Sequence, residues 1–185
     1  ITAGATALSV LTKKAVSSYG EYEQLVGGVE TLFKDSANKV QEYADKAYIT
    51  SGLSANAYME QATSFAASLI QSLDGDTSKA ADYANRAIID MSDNANKMGT
   101  AMESIQNAYN GFAKQNYTML DNLKLGYGGT KEEMQRLIAD AAKLTDVQAE
   151  LGVTVDGTSL SFGNIVNAIS VVQKQLGITG TTSLE

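Results

Sequence analysis

The chain has 185 residues, with 14 basic and 21 acidic side chains and a formal net charge of −7. It contains no histidine, cysteine, proline or tryptophan. The commonest metal ligand and general base are therefore missing, and so are the thiolate nucleophile and any disulfide. We expect no enzymatic activity, no metal site, no cofactor and no small-molecule substrate.

Hydrophobic residues make up 44% of the chain and charged residues 19%, which is typical of a folded domain rather than a disordered one. About nine prolines would be usual at this length, so their absence favours uninterrupted helices. The acidic balance lacks the basic surface that phosphate contacts need, and we expect no direct nucleic-acid binding. No apolar run reaches the roughly 20 residues of a membrane span, so no span is expected.

The N-terminal region, residues 1–35, is predicted to be helical. One helix is expected over 3–18 and a second over 21–33, because apolar residues recur there at helical spacing. The chain begins at Ile1 rather than Met, so we expect it to be a segment of a longer open reading frame. Residues 184–185 are interpreted as a cloning scar.

Residues 36–144 are expected to form the helical core domain, because apolar side chains recur every three or four residues along them. The first helix is predicted over 36–50. Ser54 is a candidate N-cap for the next helix, which the aspartate and glycine residues at 74–76 interrupt. A longer helix is predicted over 77–98.

Three further elements complete the predicted core domain. Amphipathic patterns indicate a helix over 102–112 and a shorter one over 117–125. Thr130 and Glu133 have the spacing of a capping box, in which the hydroxyl accepts the backbone N–H of the glutamate and the carboxylate reaches back to the cap. A helix that continues through Lys143 is therefore expected.

The last segment, residues 145–183, is predicted to be less regular before a C-terminal helix. The helical period weakens over 145–160, and residues 153–157 (VTVDG) favour an extended stretch with a turn. Apolar positions over 165–176 restore the helical period, and Gly177 is expected to end that helix.

Two stretches of the core domain resemble each other. Residues 39–49 (KVQEYADKAYI) align with residues 79–89 (KAADYANRAII) at a spacing of 40. This predicts two related α-hairpins, 39–78 and 79–118. Alanine-rich amphipathic helices also resemble one another by composition alone, and the sequence leaves both interpretations open. The expected fold is all-α, a compact domain of about seven to nine short amphipathic helices.

Most tyrosines are interpreted as packing residues, because they lie on the apolar faces of predicted helices. Those expected to be buried or half-buried are Tyr43, Tyr48, Tyr58, Tyr83 and Tyr109. Tyr127 differs, since it lies among glycines and has few local neighbours to bury it. We predict Tyr127 as a partner contact, and Tyr117 and Lys131 as two further candidate contacts.

Three runs of the sequence resemble the tape measure proteins of long-tailed bacteriophages and prophages of Gram-positive bacteria. They are residues 22–33 (YEQLVGGVETLF), 90–99 (DMSDNANKMG) and 111–131 (GFAKQNYTMLDNLKLGYGGTK). Residues 176–182 (LGITGTT) resemble the end of the same block, so that the similarity covers about 17–182. Residues 145–164 depart most from the family pattern.

The resemblance implies a non-enzymatic structural module with roles in tail assembly, tail-length determination and genome ejection. Such proteins fill the lumen of the tail tube and set its length by their own extended length. The implied partners are tail tube and tail assembly proteins, together with self-association, and the implied location is the virion tail after assembly in the host bacterial cytoplasm. A protein that sets length as one continuous helix extends by 1.5 Å per residue. The helices predicted here are short, which indicates a compact module instead. The alternative is an α-helical protein-interaction domain of another prophage or secretion-related assembly.

Overall fold

Eight α-helices form most of the chain from Thr2 to Gly180, the residues that the computed structural model describes, with side chains from Ser17 onward. The helices are α1 (Thr2–Phe33), α2 (Ala37–Ser51), α3 (Ala55–Ser72), α4 (Thr77–Met98), α5 (Met102–Ala113), α6 (Lys131–Lys143), α7 (Thr145–Leu151) and α8 (Phe162–Gln175). Two short 3-10 helices occupy Lys34–Ser36 and Leu120–Leu123. No strand occurs within residues 2–180. The predicted all-α fold of about seven to nine helices is confirmed.

Side-chain caps and left-handed glycines begin and end the central helices. The Ser54 hydroxyl accepts the backbone N–H of Ala57 at 3.2 Å, and the Asp76 carboxylate accepts that of Lys79 at 2.9 Å. Gly52 ends α2 with a φ of 67°, a conformation that glycine adopts without steric cost. These local signals explain why the predicted bounds of α2, α3 and α4 agree with the structure.

The N-terminal region differs from the prediction, because α1 is one continuous helix rather than two helices over 3–18 and 21–33. No proline interrupts it, and the roughly 1 kcal/mol that Gly20 costs inside a helix is too little to break it. Each of residues 17–24 is exposed, and the first fully buried side chains of the helix from Ser17 onward are Val29 and Phe33. The helix therefore extends beyond the bundle before its last turns enter the core.

The short helix predicted over 117–125 is reduced to a single 3-10 turn. The Asn116 side chain accepts hydrogen bonds from the backbone N–H and the hydroxyl of Thr118, at 3.1 and 2.7 Å. Lys124 has a left-handed φ of 53°. Both ends of the segment thus turn the chain, and regular α-helical hydrogen bonding does not develop.

Residues 145–160 contain the short helix α7, which was not predicted, followed by a loop with a turn at 157–158 and no strand. The buried side chain of Gln148 organises this region. Its amide donates to the carbonyl oxygens of Ala141 and Ala142 at 3.0 and 3.1 Å, and its oxygen accepts the N–H of Val155 at 2.9 Å. One glutamine thereby joins α6, α7 and the following loop.

One continuous hydrophobic core joins the helices. Helix α4 packs against α2, α3, α5 and α8, and α6 packs against α8. Buried apolar side chains extend from Val29 to Ile178, so that the segments 1–35, 36–144 and 145–183 all contribute to the same core. Helix α4 lies at the centre of this arrangement.

Two consecutive helix pairs, α2 with α3 and α4 with α5, occupy the stretches 39–78 and 79–118. The members of the two pairs differ in length, since α2 has 15 residues and α4 has 22, whereas α3 has 18 and α5 has 12. The duplication of one hairpin stays a prediction.

Four of the five tyrosines interpreted as packing residues are buried or half-buried. Tyr58 and Tyr109 are fully buried, and Tyr43 and Tyr83 are half-buried. Tyr48 is 68% exposed, and its prediction is wrong. Valine and small side chains form the buried face of α2, and Tyr48 lies beside that face rather than on it.

Candidate functional site: a groove along the central helix

A groove with a volume of about 560 Å³ runs along one face of α4. The α4 residues that line it are Asp82, Asn85, Arg86, Ile89, Asp90 and Asp93. Their spacing of three or four places them on one helical face, about 16 Å long at 1.5 Å per residue. Side chains of α2 form one wall, and the end of α7 with residues 179–180 forms the other.

An ion pair and a phenol close the upstream end of the groove. The Lys39 ammonium lies 2.7 Å from the Asp82 carboxylate, and the Tyr43 hydroxyl donates to the same carboxylate at 2.7 Å. Burial raises the pKa of Tyr43 to about 12, and the hydrogen bond and negative charge of Asp82 act in the same direction. The phenol stays protonated, and these contacts join α2 to α4.

Arg86 supplies positive charge to an otherwise acidic groove. Its guanidinium donates to the Asn167 side-chain oxygen at 2.8 Å and lies 5.6 Å from the centre of the Tyr83 ring. The Asn167 amide in turn donates to the Tyr83 hydroxyl at 3.0 Å. These contacts hold the Arg86 side chain of α4 against α8.

Two buried carboxyl groups form the downstream part of the groove. Asp90 accepts a hydrogen bond from the Ser170 hydroxyl. Burial raises the pKa of Asp90 to about 7, although the Ser170 hydrogen bond and the charge of Arg86 lower it, while Asp93 raises it further. Asp93 accepts the backbone N–H of Gly180 at 2.8 Å, which holds the segment after α8 against α4.

Buried amides continue this polar contact between α4 and α8. The Asn94 amide donates to the Leu123 carbonyl at 2.9 Å and to the Gln173 side-chain oxygen at 2.8 Å. The Gln173 amide donates to the Asp90 carbonyl at 3.0 Å. We call Asp90, Asn94, Asn167, Ser170 and Gln173 the polar seam. Because its hydrogen bonds are directional, the seam sets the register of α8 on α4.

The chemistry that this arrangement offers is limited. A carboxyl group that titrates near neutral pH is a candidate general acid, but Asp90 is buried and bonded to Ser170. Among the side chains that the structure describes, no group of three or more acidic residues is placed to hold a metal ion. The groove offers a concave surface whose polar groups stabilise helix packing.

The predicted contacts Tyr117 and Lys131 lie together at a second cavity of about 310 Å³. Tyr117 is mostly buried and stacks on Phe112, with 6.5 Å between ring centres. Lys131 is exposed in the first turn of α6. The structure brings these two predicted residues together and places Tyr127 elsewhere.

Tyr127 is held by side chains of α6, so the expectation that it has few neighbours is wrong. The Arg136 guanidinium lies 4.2 Å from the centre of its ring, a cation–π contact. Its hydroxyl donates to the Asp140 carboxylate at 3.1 Å. Burial raises the pKa of Tyr127, and the hydrogen bond to Asp140 raises it further. The residue stiffens the loop before α6.

The capping box at the start of α6 is present with one difference. The Thr130 hydroxyl accepts the N–H of Glu133 at 3.2 Å, as predicted. The Glu133 carboxylate accepts the N–H of Gly128, at 2.9 Å, and also binds Arg136 at 2.6 Å. The Arg136 hydrogen bond, followed by that of Gly128, lowers the pKa of Glu133 to about 2. The glycine loop is therefore tied to α6.

The residues that line the groove are not among the predicted contacts Tyr117, Tyr127 and Lys131. A usable signal was present, since Asp82, Arg86, Asp90 and Asp93 recur every three or four residues on an alanine-rich helix. Charged side chains in one line on a helix that is otherwise core-facing indicate either a solvated face or a site. Only the packing of α2, α7 and the segment after α8 distinguishes these cases.

Comparison with known proteins found no match: no protein-family model, no curated protein and no solved structure matches this chain. Within the described part of the chain, none of the helices combines the length and the apolar character needed to cross a membrane. A proposal of function therefore depends on the residues and the fold.

Proposed function

We propose that this chain is a non-enzymatic structural module of a phage tail tape measure protein, with roles in tail assembly, tail-length determination and genome ejection. The runs at 22–33, 90–99 and 111–131, which resemble such proteins, support the proposal. The third run includes the glycine loop that Tyr127 and Glu133 tie to α6. The most specific part of the resemblance therefore lies in a rigid part of the fold.

The observation that carries the proposal is a helix that leads away from a compact helical body. Each of residues 17–24 of α1 is exposed, while the same helix enters the core at Val29. A helix that leaves a domain in this way continues as a rod at 1.5 Å per residue. A folded module joined to a rod suits a protein that must both dock to tail components and extend along a tube.

The size of the body limits its share of the measured length. Residues 2–180 would span about 270 Å as one straight helix, but a packed domain of this size is about 40 Å across. We propose that the body remains folded, and that it adds tens rather than hundreds of ångströms to the tail. Most of the measuring would then be done by helix outside this module.

The proposed partners are tail tube and tail assembly proteins, and the proposed location is the lumen of the tail tube after assembly in the host bacterial cytoplasm. Two concave surfaces are available for docking, the groove along α4 and the cavity beside Tyr117 and Lys131. The groove is the larger of the two and carries more charge. We therefore propose the groove along α4 as the main docking surface of the module.

A matched pair of substitutions tests the proposal in the phage that encodes the chain. Ala66 is fully buried on α3, whereas its neighbour Ala67 is exposed. An aspartate at position 66 places a charge in the core and unfolds the module, while Ala67→Asp leaves it folded. We expect Ala66→Asp to abolish or deform tails and Ala67→Asp to give tails like those of the wild type. Normal tails and infectivity from both variants, with the purified Ala66→Asp chain unfolded, would refute the proposal.

The alternative function is a helical protein-interaction domain of another prophage or secretion-related assembly. The groove of about 560 Å³ along α4 favours a docking role in either setting. Mass spectrometry of purified virions separates the two: a tail module must be present in the particle, and absence of the chain from intact virions would favour the alternative.

A further inference from the structure

The apolar line that α1 presents to the core does not stop where the core stops. Phe33 and Val29 are fully buried, Val26 is half-buried, Tyr22 is 37% exposed and Tyr19 is 65% exposed. These residues alternate at spacings of four and three, which keeps them on one face of the helix. The face that packs in the bundle therefore continues, uncovered, past the end of the bundle.

The end of α2 places two exposed side chains at the level of this uncovered face. Helices α1 and α2 are packed together and joined by only three residues, so they run antiparallel. Tyr22 lies 11 residues before the last residue of α1, and Tyr48 lies 11 residues after the first residue of α2. Tyr48 and Ile49, which are 68% and 56% exposed, thus lie at the level of Tyr22. We name Tyr19, Tyr22, Tyr48 and Ile49 the tyrosine end.

The exposed part of α1 has little to hold it in a helix by itself. None of residues 17–24 is buried or half-buried, although Tyr22 is only 37% exposed. They include Gly20 and two serines, which are weak helix formers. They are therefore a weak part of the 32-residue α1, and packing against another element would stabilise their helical conformation.

We propose that the tyrosine end packs against the tyrosine end of a second copy of this chain, forming a two-fold symmetric dimer. A two-fold contact uses the same surface on both partners, so one apolar surface suffices. The four side chains expose about 400 Å² of apolar area, roughly half of the 800 Å² that each partner contributes to a stable interface. The surrounding turns of residues 17–24 supply the remainder.

The charges around the tyrosine end give the dimer a distinctive salt dependence. The charged residues around the tyrosine end are Glu21 and Glu23 on α1 and the exposed Asp45 and Lys46 on α2, which leave a net charge of −2 on each copy. In a dimer the two net negative ends repel each other, and salt screens this repulsion. The dimer must therefore tighten as salt is added, whereas a basic partner protein on the same surface would bind more weakly. The inference does not depend on a role in phage tails.

Sedimentation equilibrium of the 185-residue chain tests the dimer directly. We expect a species of twice the 19.5 kDa chain mass, and a lower dissociation constant at 500 mM than at 50 mM NaCl. The double variant Tyr19→Ser/Tyr22→Ser should raise the dissociation constant at least about tenfold, since central aromatic residues dominate interfaces. Leu176→Ser is the matched control, because Leu176 is 53% exposed directly after α8, which packs mainly against α6 and α4, and it should change the constant less than about twofold.

Three results would overturn the proposal: a monomer at 200 µM, a dimer that the tyrosine variants leave intact, or equal weakening by the control. Tyr19→Ser alone guards against a folding defect, because Tyr19 lies outside the bundle and its loss does not disturb the core. Thermal denaturation followed by circular dichroism should give the same midpoint for monomeric Tyr19→Ser as for the monomeric wild type, which would show that the variant is folded. A monomer that binds only basic proteins, and does so best at low salt, would assign the surface to a different partner.

Discussion

Replacing Asp90 by asparagine removes a carboxyl group whose pKa burial raises to about 7. Asp90 is buried beside α8, where it accepts the Ser170 hydroxyl. Asparagine has nearly the same shape, and its side-chain oxygen can accept the same hydrogen bond. Asp90→Asn therefore removes the ionisation and leaves the packing in place.

The magnitude follows from the two pKa values of Asp90. Burial raises its pKa from 3.8 to about 7 in the folded state. Between these values the unfolded chain loses the proton while the native state keeps it, so the free energy of unfolding falls as the pH rises, and it levels off above pH 7. A difference of about three pKa units corresponds to about 4 kcal/mol. Relative to the wild type, Asp90→Asn should gain about this much stability between pH 4 and pH 8.

Urea denaturation of both proteins at half-unit steps from pH 4 to pH 8 measures the difference, and all other titrating groups cancel in the comparison. Asp121→Asn is the control, since Asp121 is exposed, and its stability should follow that of the wild type at every pH. A stability difference between Asp90→Asn and the wild type that stays constant with pH would refute the reasoning, and so would one that shrinks as the pH rises.

Three other substitutions test the packing. The Ser72 hydroxyl oxygen lies 3.0 Å from the position that a Cβ on Gly163 would occupy, which suits a disulfide between cysteines at these two positions. In urea denaturation, the oxidised form of Ser72→Cys/Gly163→Cys should be about 4 kcal/mol more stable than the reduced form. Equal stability of the two forms would contradict this geometry. Gly129→Ala should cost at least about 2 kcal/mol, because its Cβ would overlap the Thr118 carbonyl oxygen. Gly27 lies within α1 with open space around it, so Gly27→Ala should stabilise the protein by about 0.5–1 kcal/mol. Thermal denaturation measures both changes. A stabilising Gly129→Ala or a destabilising Gly27→Ala would contradict the described packing.

The parts of the fold that the sequence predicts well are those with local causes. The predicted caps at Ser54 and Thr130 both occur, because a side chain and a backbone N–H three residues apart need no tertiary contact to meet. The apolar face of α6 is likewise buried as its spacing predicts. Local chemistry and helical period suffice for these elements.

The errors have tertiary causes. Helix α7 has only seven residues, too few for a periodic pattern, and it is held by Gln148, whose partners lie six and seven residues away. Tyr48 was assigned to the buried face of α2, but its exposure depends on which neighbours α2 has. The charged line on α4 is visible in the sequence, but it cannot be distinguished there from a solvated face, because the walls of the groove come from α2, α7 and residues 179–180, which meet only in the folded protein.

Tail length after tandem duplication of residues 2–180 in the parent gene tests the central claim, that this segment is a folded module rather than a stretch of ruler. The duplication keeps one intact module, and electron microscopy of several hundred tails resolves the mean length. We predict tails that lengthen by no more than about 80 Å, of which one packed body contributes about 40 Å and the part of α1 before Val29 about as much again. Tails that lengthen by about 270 Å, the length of the segment as a continuous helix, would contradict it.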